Sequence, residues 1–97
     1  MKTLQEFRNS YKSQIIDLAK KYGAHNIRIF GSFARGEMQS NSDIDFLVEF
    51  EEQCSLFDQG GLLMDLQDLL HCKVDIVDEQ AMRPRFREQV LKEAVFL

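Results

Sequence analysis

Apolar positions in the first segment recur at steps of three and four. Leu4, Phe7, Tyr11, Ile15, Leu18 and Tyr22 form one stripe, which predicts a helix. Thr3 and Glu6 have the spacing of a capping box, Lys20 and Lys21 fall in the last turn, and Gly23 stands where a C′ glycine is expected. The period then drops to two. "NIRIFG" (26–31) reads as a short strand with Ile27 and Ile29 on one face. "SFARGEMQSNS" follows as a short turn or helix and then a polar loop. "DIDFLVEF" (43–50) is a strand with Ile44, Phe46, Val48 and Phe50 on one face and Asp43, Asp45 and Leu47 on the other.

Ser55 and Asp58 are placed to cap a second helix reaching about His71, with Leu62, Leu63, Leu66, Leu69 and Leu70 inward. Gly60 and Gly61 weaken its first turns. "KVDIV" (73–77) is a third strand, with Val74 and Ile76 inward and Asp75 opposite. Pro84 opens a last helix that should pack through Phe86, Val90, Leu91 and Ala94. The order α-β-(α)-β-α-β-α predicts an α/β (α+β) fold, a three-stranded mixed sheet packed with helices. It is expected to form a single domain over residues 1–97, with no linker or repeat.

Composition narrows the partners. An apolar fraction of 44% suits an ordinary packed core, and a net charge of −4 lacks the basic footprint of a phosphate-gripping protein, so direct nucleic-acid binding is not expected. The cluster "RPRFR" (83–87) reads as a solvated first turn, or as a contact for an acidic partner or for an RNA that a partner holds. No apolar run approaches the roughly 18 residues that span a bilayer, and the polar, periodic N-terminus is unlike a signal peptide. Cys54 and Cys72 show no CxxC pattern and read as free thiols, consistent with a cytoplasmic location; with His25 and His71 they are too few and too scattered for structural zinc.

The chemistry gathers in "GSFARGEMQSNSDIDFLVEF" (31–50). Strand alternation puts Asp43 and Asp45 on one face, where like charges repel and strands disfavour Asp. Taken singly, the pair could be a solvated strand start, and Asp75 an ordinary exposed strand residue. If the second and third strands pair in register, all three carboxylates share one face and call for cations. Magnesium suits such oxygens, and two ions roughly 3.5–4 Å apart can activate an attacking oxygen and steady a leaving phosphate. Gly31 lets the chain turn sharply after a strand. Free N–H groups at the start of the following short helix, with the Ser32 hydroxyl, can take phosphate oxygens, and Arg35 can add positive charge.

Gly31-Ser32, Ala34-Arg35-Gly36, Ser42-Asp43 and Asp45, followed by Asp75 in a later strand, resemble the minimal nucleotidyltransferase (MNT) domain of the DNA polymerase β-type superfamily. The resemblance implies ATP as substrate with Mg²⁺, transfer of AMP to a hydroxyl, and release of pyrophosphate. Gly31 and Ser32 match the triphosphate-holding positions, Asp43 and Asp45 the metal-binding pair, and Asp75 the third, catalytic carboxylate. Arg35 and Ser42 fit the motif as phosphate contacts. Many such domains resemble antitoxins paired with a HEPN ribonuclease toxin, a tyrosine of which they modify. That makes a HEPN-domain protein the expected partner. A non-catalytic antitoxin acting by stoichiometric complex formation is the competing reading, and an enzyme for a small-molecule acceptor ranks third. The free edge of a small sheet leaves homo- or hetero-oligomers open.

Overall fold

Each helix begins where the sequence offers its free N–H groups an acceptor. In the computed structural model, which describes residues 3–37 and 43–97, α1 runs Leu4–Lys21 and its Thr3 hydroxyl accepts from the Glu6 N–H at 3.0 Å. Gly23, in the left-handed region at φ 76°, turns the chain out of α1 into β1 (Ala24–Phe30). β2 is Ile44–Phe50. α2 (Leu56–Leu70) opens on a complete capping box, in which the Ser55 hydroxyl accepts from Phe57 N–H and the Asp58 carboxylate accepts from Ser55 N–H at 2.9 Å. β3 (Val74–Asp78), a 3₁₀ turn at Glu79–Ala81, α3 (Pro84–Glu93) and β4 (Val95–Phe96) complete the chain.

The sheet has four strands in the order β3-β2-β1-β4, one more than the period of the sequence predicts. β2 and β3 run parallel, joined across by α2; β1 is antiparallel to both β2 and β4. β4 escapes pattern reading because two residues are too short for any alternation to register. It is held by the Arg28–Phe96 and Ile29–Val95 pairs and by the Leu97 N–H, which donates to the Ile27 carbonyl at 3.1 Å.

α1 and α2 pack on one face of the sheet. Phe7, Ile15 and Ala19 from α1 meet Leu62, Leu66 and Leu70 from α2 over Ile29, Ile44, Phe46, Val48 and Val74. β1 reaches this core through a bulge. Ala24 and Ile29 are both buried although five residues separate them, an odd step that would point them to opposite faces of a regular strand. One extra residue between the His25–Glu49 and Arg28–Leu47 pairs restores the parity. Asn26 takes up the irregularity at φ 51°, a conformation asparagine tolerates better than most residues.

The other face carries charge. Arg28, 7% exposed, donates from Nη2 to Glu79 Oε2 at 2.6 Å and from Nε to the Asn26 carbonyl at 3.0 Å; Glu79 is 4% exposed. Arg87 of α3 reaches the second oxygen of Glu79 at 3.2 Å. Here the expected packing of α3 is corrected. No α3 residue is buried, and Phe86 and Leu91 are exposed, because α1 and α2 already occupy the apolar face and α3 is left to the charged one.

The Arg28 hydrogen bond is the main cause that lowers the Glu79 carboxyl from its ordinary 4.5 to about 2. A depressed folded-state value means the stabilisation is complete above the unfolded value near 4.5 and is lost as pH falls towards 2. Urea titration of Glu79→Gln at neutral pH should show a loss of about 3 kcal/mol, since buried Arg28 is left with only the more distant Glu49, at 4.0 Å, as a charge partner. That loss should shrink as the pH is taken down through this window.

Candidate active site

Parallel pairing of β2 with β3 settles where the carboxylates go. The register places Ile44 beside Val74, Asp45 beside Asp75 and Phe46 beside Ile76. Ile44, Phe46 and Val74 are buried in the core, so Asp45 and Asp75 are turned together to the opposite face. Asp43 stands one residue before β2, where the Ile44 N–H donates to the Lys73 carbonyl at 3.1 Å and fixes the strand entrance. The antiparallel partner of Asp45 is Phe30, the last residue of β1, so the turn beginning at Gly31 starts beside the carboxylates.

Asp45 is half-buried and Asp75 exposed. Burial pushes the Asp45 carboxyl above its ordinary value, and the negative charges of Asp75, Asp43 and Glu93 push it further; Arg35 opposes them. Both of the other predicted carboxylates therefore bear on Asp45. Among the described residues no three His, Cys, Asp or Glu side chains close around a single point as a preformed cage. The donor set fits magnesium, which takes a few carboxylate oxygens and leaves its other positions to water and phosphate.

Gly31 ties the carboxylates to the turn. Its φ is +77°, and a Cβ built on it would lie 2.3 Å from Asp45 Oδ2, so both the backbone conformation and the space require glycine. Residues 32–36 form a turn where a short helix was the alternative. Glu37 N–H donates to the Ser32 carbonyl at 2.9 Å, Gly36 N–H to Phe33 at 3.1 Å and Arg35 N–H to Gly31 at 3.2 Å. No described residue accepts from the Ser32, Phe33 or Ala34 N–H groups, which leaves them as donors for an anion. Phe33 anchors the turn, being 3% exposed and edge-on to Phe7 at 5.0 Å between ring centres. Arg35 lies half-exposed over this turn, paired with Glu37 at 3.0 Å and with Glu93 at the end of α3. Ser42 lies outside the described residues.

Residues 13–97, which include this sheet face and the glycine turn, match a known family, described as polymerase beta, nucleotidyltransferase. The chain belongs to the polymerase β nucleotidyltransferase family. The protein adenylyltransferase MntA of Thermococcus cleftensis is 35% identical over 97 residues, which cover 100% of this chain and 98% of that one. A solved chain assigned as a minimal nucleotidyltransferase superimposes with a TM-score of 0.86 at 44% identity, over 95% of this chain and 94% of the other. A toxin–antitoxin complex solved with AMP-PNP contains a chain matching at TM-score 0.77 and 26% identity, over 89% of this chain and 71% of its own.

Within this nucleotidyltransferase fold, Glu93 is a site neighbour that sequence reading missed. It lies 58 residues from Arg35 on a helix whose apolar pattern drew attention elsewhere, and no local signal links the two. The buried Arg28–Glu79 pair was missed for a similar reason, since an arginine alternating with isoleucines in a strand reads as solvent-facing. His25 and His71 are exposed at element ends and Cys54 and Cys72 are free thiols, as expected from the sequence.

Crowded carboxylates cost the metal-free protein stability. A raised folded-state value means Asp45 destabilises the fold at neutral pH and ceases to do so as pH falls through its titration. With chelator at pH 7, Asp45→Asn should melt at the same temperature as wild type or a few degrees higher. Gly31→Ala should lower the melting temperature, because it adds both left-handed strain and a clash with Asp45.

Proposed function

We propose that the protein transfers AMP from ATP to a hydroxyl of a partner protein, a tyrosine of a HEPN ribonuclease toxin, and so acts as its antitoxin. The observation that carries the chemistry is the Asp45–Asp75 register on a face that abuts the Gly31 turn. The acceptor class rests on the family resemblance, on the adenylyltransferase name of the Thermococcus relative and on the AMP-PNP complex of a toxin–antitoxin pair.

In this reading Asp43, Asp45 and Asp75 hold Mg²⁺, which when bound offsets their repulsion and the charge that develops on the phosphates. The N–H groups of the turn, the hydroxyls of Ser32 and Ser42 and the Arg35 guanidinium hold the triphosphate. Gly31 lets the backbone approach it. Asp75, the most exposed of the three carboxylates, faces the incoming acceptor and takes the hydroxyl proton. The acceptor oxygen bonds to the α-phosphorus as the bond from that phosphorus to the bridging oxygen of the β-phosphate breaks, and pyrophosphate leaves with the electron pair.

ATP labelled on the α-phosphate, incubated with Mg²⁺ and an extract of the native cells, tests this reading. Wild type should label one protein band, and an Asp43→Asn/Asp45→Asn chain should leave it unlabelled. Neutralisation of the partner by that double variant, without any labelling by wild type, would replace the enzyme with a stoichiometric binding module.

A further inference from the structure

The geometry points to Glu93 as a positioning residue of the nucleotide site: it holds the Arg35 guanidinium and surrenders it to the incoming triphosphate, so that it sets nucleotide affinity through Arg35. This inference rests on the reading of Arg35 as a phosphate contact and adds a competitor for it.

The pairing is tertiary. Arg35 sits one turn beyond Gly31, whereas Glu93 closes α3 on the far side of the sequence, and the two meet through Nη1 and Oε1. Glu37, on the same turn as Arg35, takes the Nε hydrogen at 3.0 Å. Two carboxylates thus occupy both edges of the guanidinium fork that a phosphate would use. A triphosphate gripping that fork competes with them for the guanidinium, and Glu93 is the one carried by a separate element.

Exposure favours the exchange. α3 buries no residue and is tied down by charge at both ends: Arg87 to Glu79 in its first turn, Glu93 to Arg35 in its last. These two ties differ in kind. Arg87 is 48% exposed, but its partner Glu79 is 5% exposed and shared with buried Arg28, whereas the Arg35 and Glu93 side chains are 48% and 32% exposed. Such a solvated pair is weak and readily exchanged, and a triphosphate offers the same fork more charge than a carboxylate does.

The main chain beside Glu93 stays fixed when the side chain lets go. β4 begins two residues later and is laddered to β1 at Arg28–Phe96, with Leu97 N–H on the Ile27 carbonyl. Exchange of the guanidinium therefore needs side-chain motion alone, and loss of the Glu93 charge leaves the fold standing.

A double-mutant cycle read by equilibrium binding of MgATP at low ionic strength tests this, with no transfer reaction required. Glu93→Gln should bind MgATP about two- to five-fold more tightly than wild type, the range expected for removal of a weak competing ion pair. Glu93→Asp should restore wild-type affinity in part. In an Arg35→Ala background, Glu93→Gln should change nothing. Equal tightening in both backgrounds would overturn the inference, because Glu93 would then act on the site as a general negative charge. An unchanged or weakened affinity in the single variant would overturn it as well. A melting temperature within a degree or two of wild type checks that Glu93→Gln is folded. A chain that binds no MgATP at all would overturn the nucleotide site and the inference with it. Binding that follows the expected pattern without any transfer would sustain the inference and sink only the transfer reading.

Discussion

The pairing of β2 with β3 is the constraint on which the remainder of the molecule depends. Parallel strands need a crossover, and α2 supplies it while burying Leu62, Leu66 and Leu70 on the sheet. The register that buries Ile44 and Val74 against that helix is the same register that sets Asp45 beside Asp75 on the opposite face. A slip of one residue would put aspartates in the core and isoleucine in water, a penalty of several kcal/mol at each position. The apolar residues thus enforce the position of the acidic ones, and the site inherits its geometry from the core.

The two faces of the sheet are stabilised by different physics. One is a dry interface with two helices, where nonpolar burial drives packing. The other holds Arg28, Glu79, Asp45 and Asp75, together with a fully buried Leu47 that stands apart from the main cluster. A helix laid on such a face finds little apolar surface to share, and α3 is accordingly tied by Arg87 and Glu93. Glu79 is itself buried and shared with buried Arg28, whereas both partners of the Arg35–Glu93 tie face solvent. The main chain at that second end is still held, because β4 follows at once and is laddered to β1; only the Glu93 side chain faces solvent there.

Much of this was legible in the sequence because it follows from short-range periodicity. The α1 stripe, the β2 alternation, the Ser55–Asp58 box and the inward pair Val74 and Ile76 each fit in a window of a few residues. That Asp45, Asp75 and Gly31 come together could be anticipated because the spacing of the motif is local and the third strand is recognisable. What escaped is what tertiary structure alone decides. β4 has too few residues to show a pattern; α3 has a fair apolar stripe but no free apolar face to receive it; Arg28 is buried only because Glu79, 51 residues on, comes back to meet it. The fourth acidic neighbour, Glu93, belongs to the same class of long-range fact.

Gly31 shows how closely fold and site are joined. Its left-handed backbone ends β1, and its missing side chain leaves the space that the Asp45 carboxylate fills. Phe33, two residues on, is sunk into the core against Phe7, so the turn cannot drift away from Asp45 to relieve crowding. The donors of the turn and the acceptors of the sheet are therefore held at a fixed short separation by a hydrophobic anchor on one side and a strand register on the other. Preorganisation of this kind keeps N–H donors and carboxylate acceptors adjacent without letting them collapse onto each other. Arg35, mounted on the same turn, is by contrast secured only by solvated carboxylates.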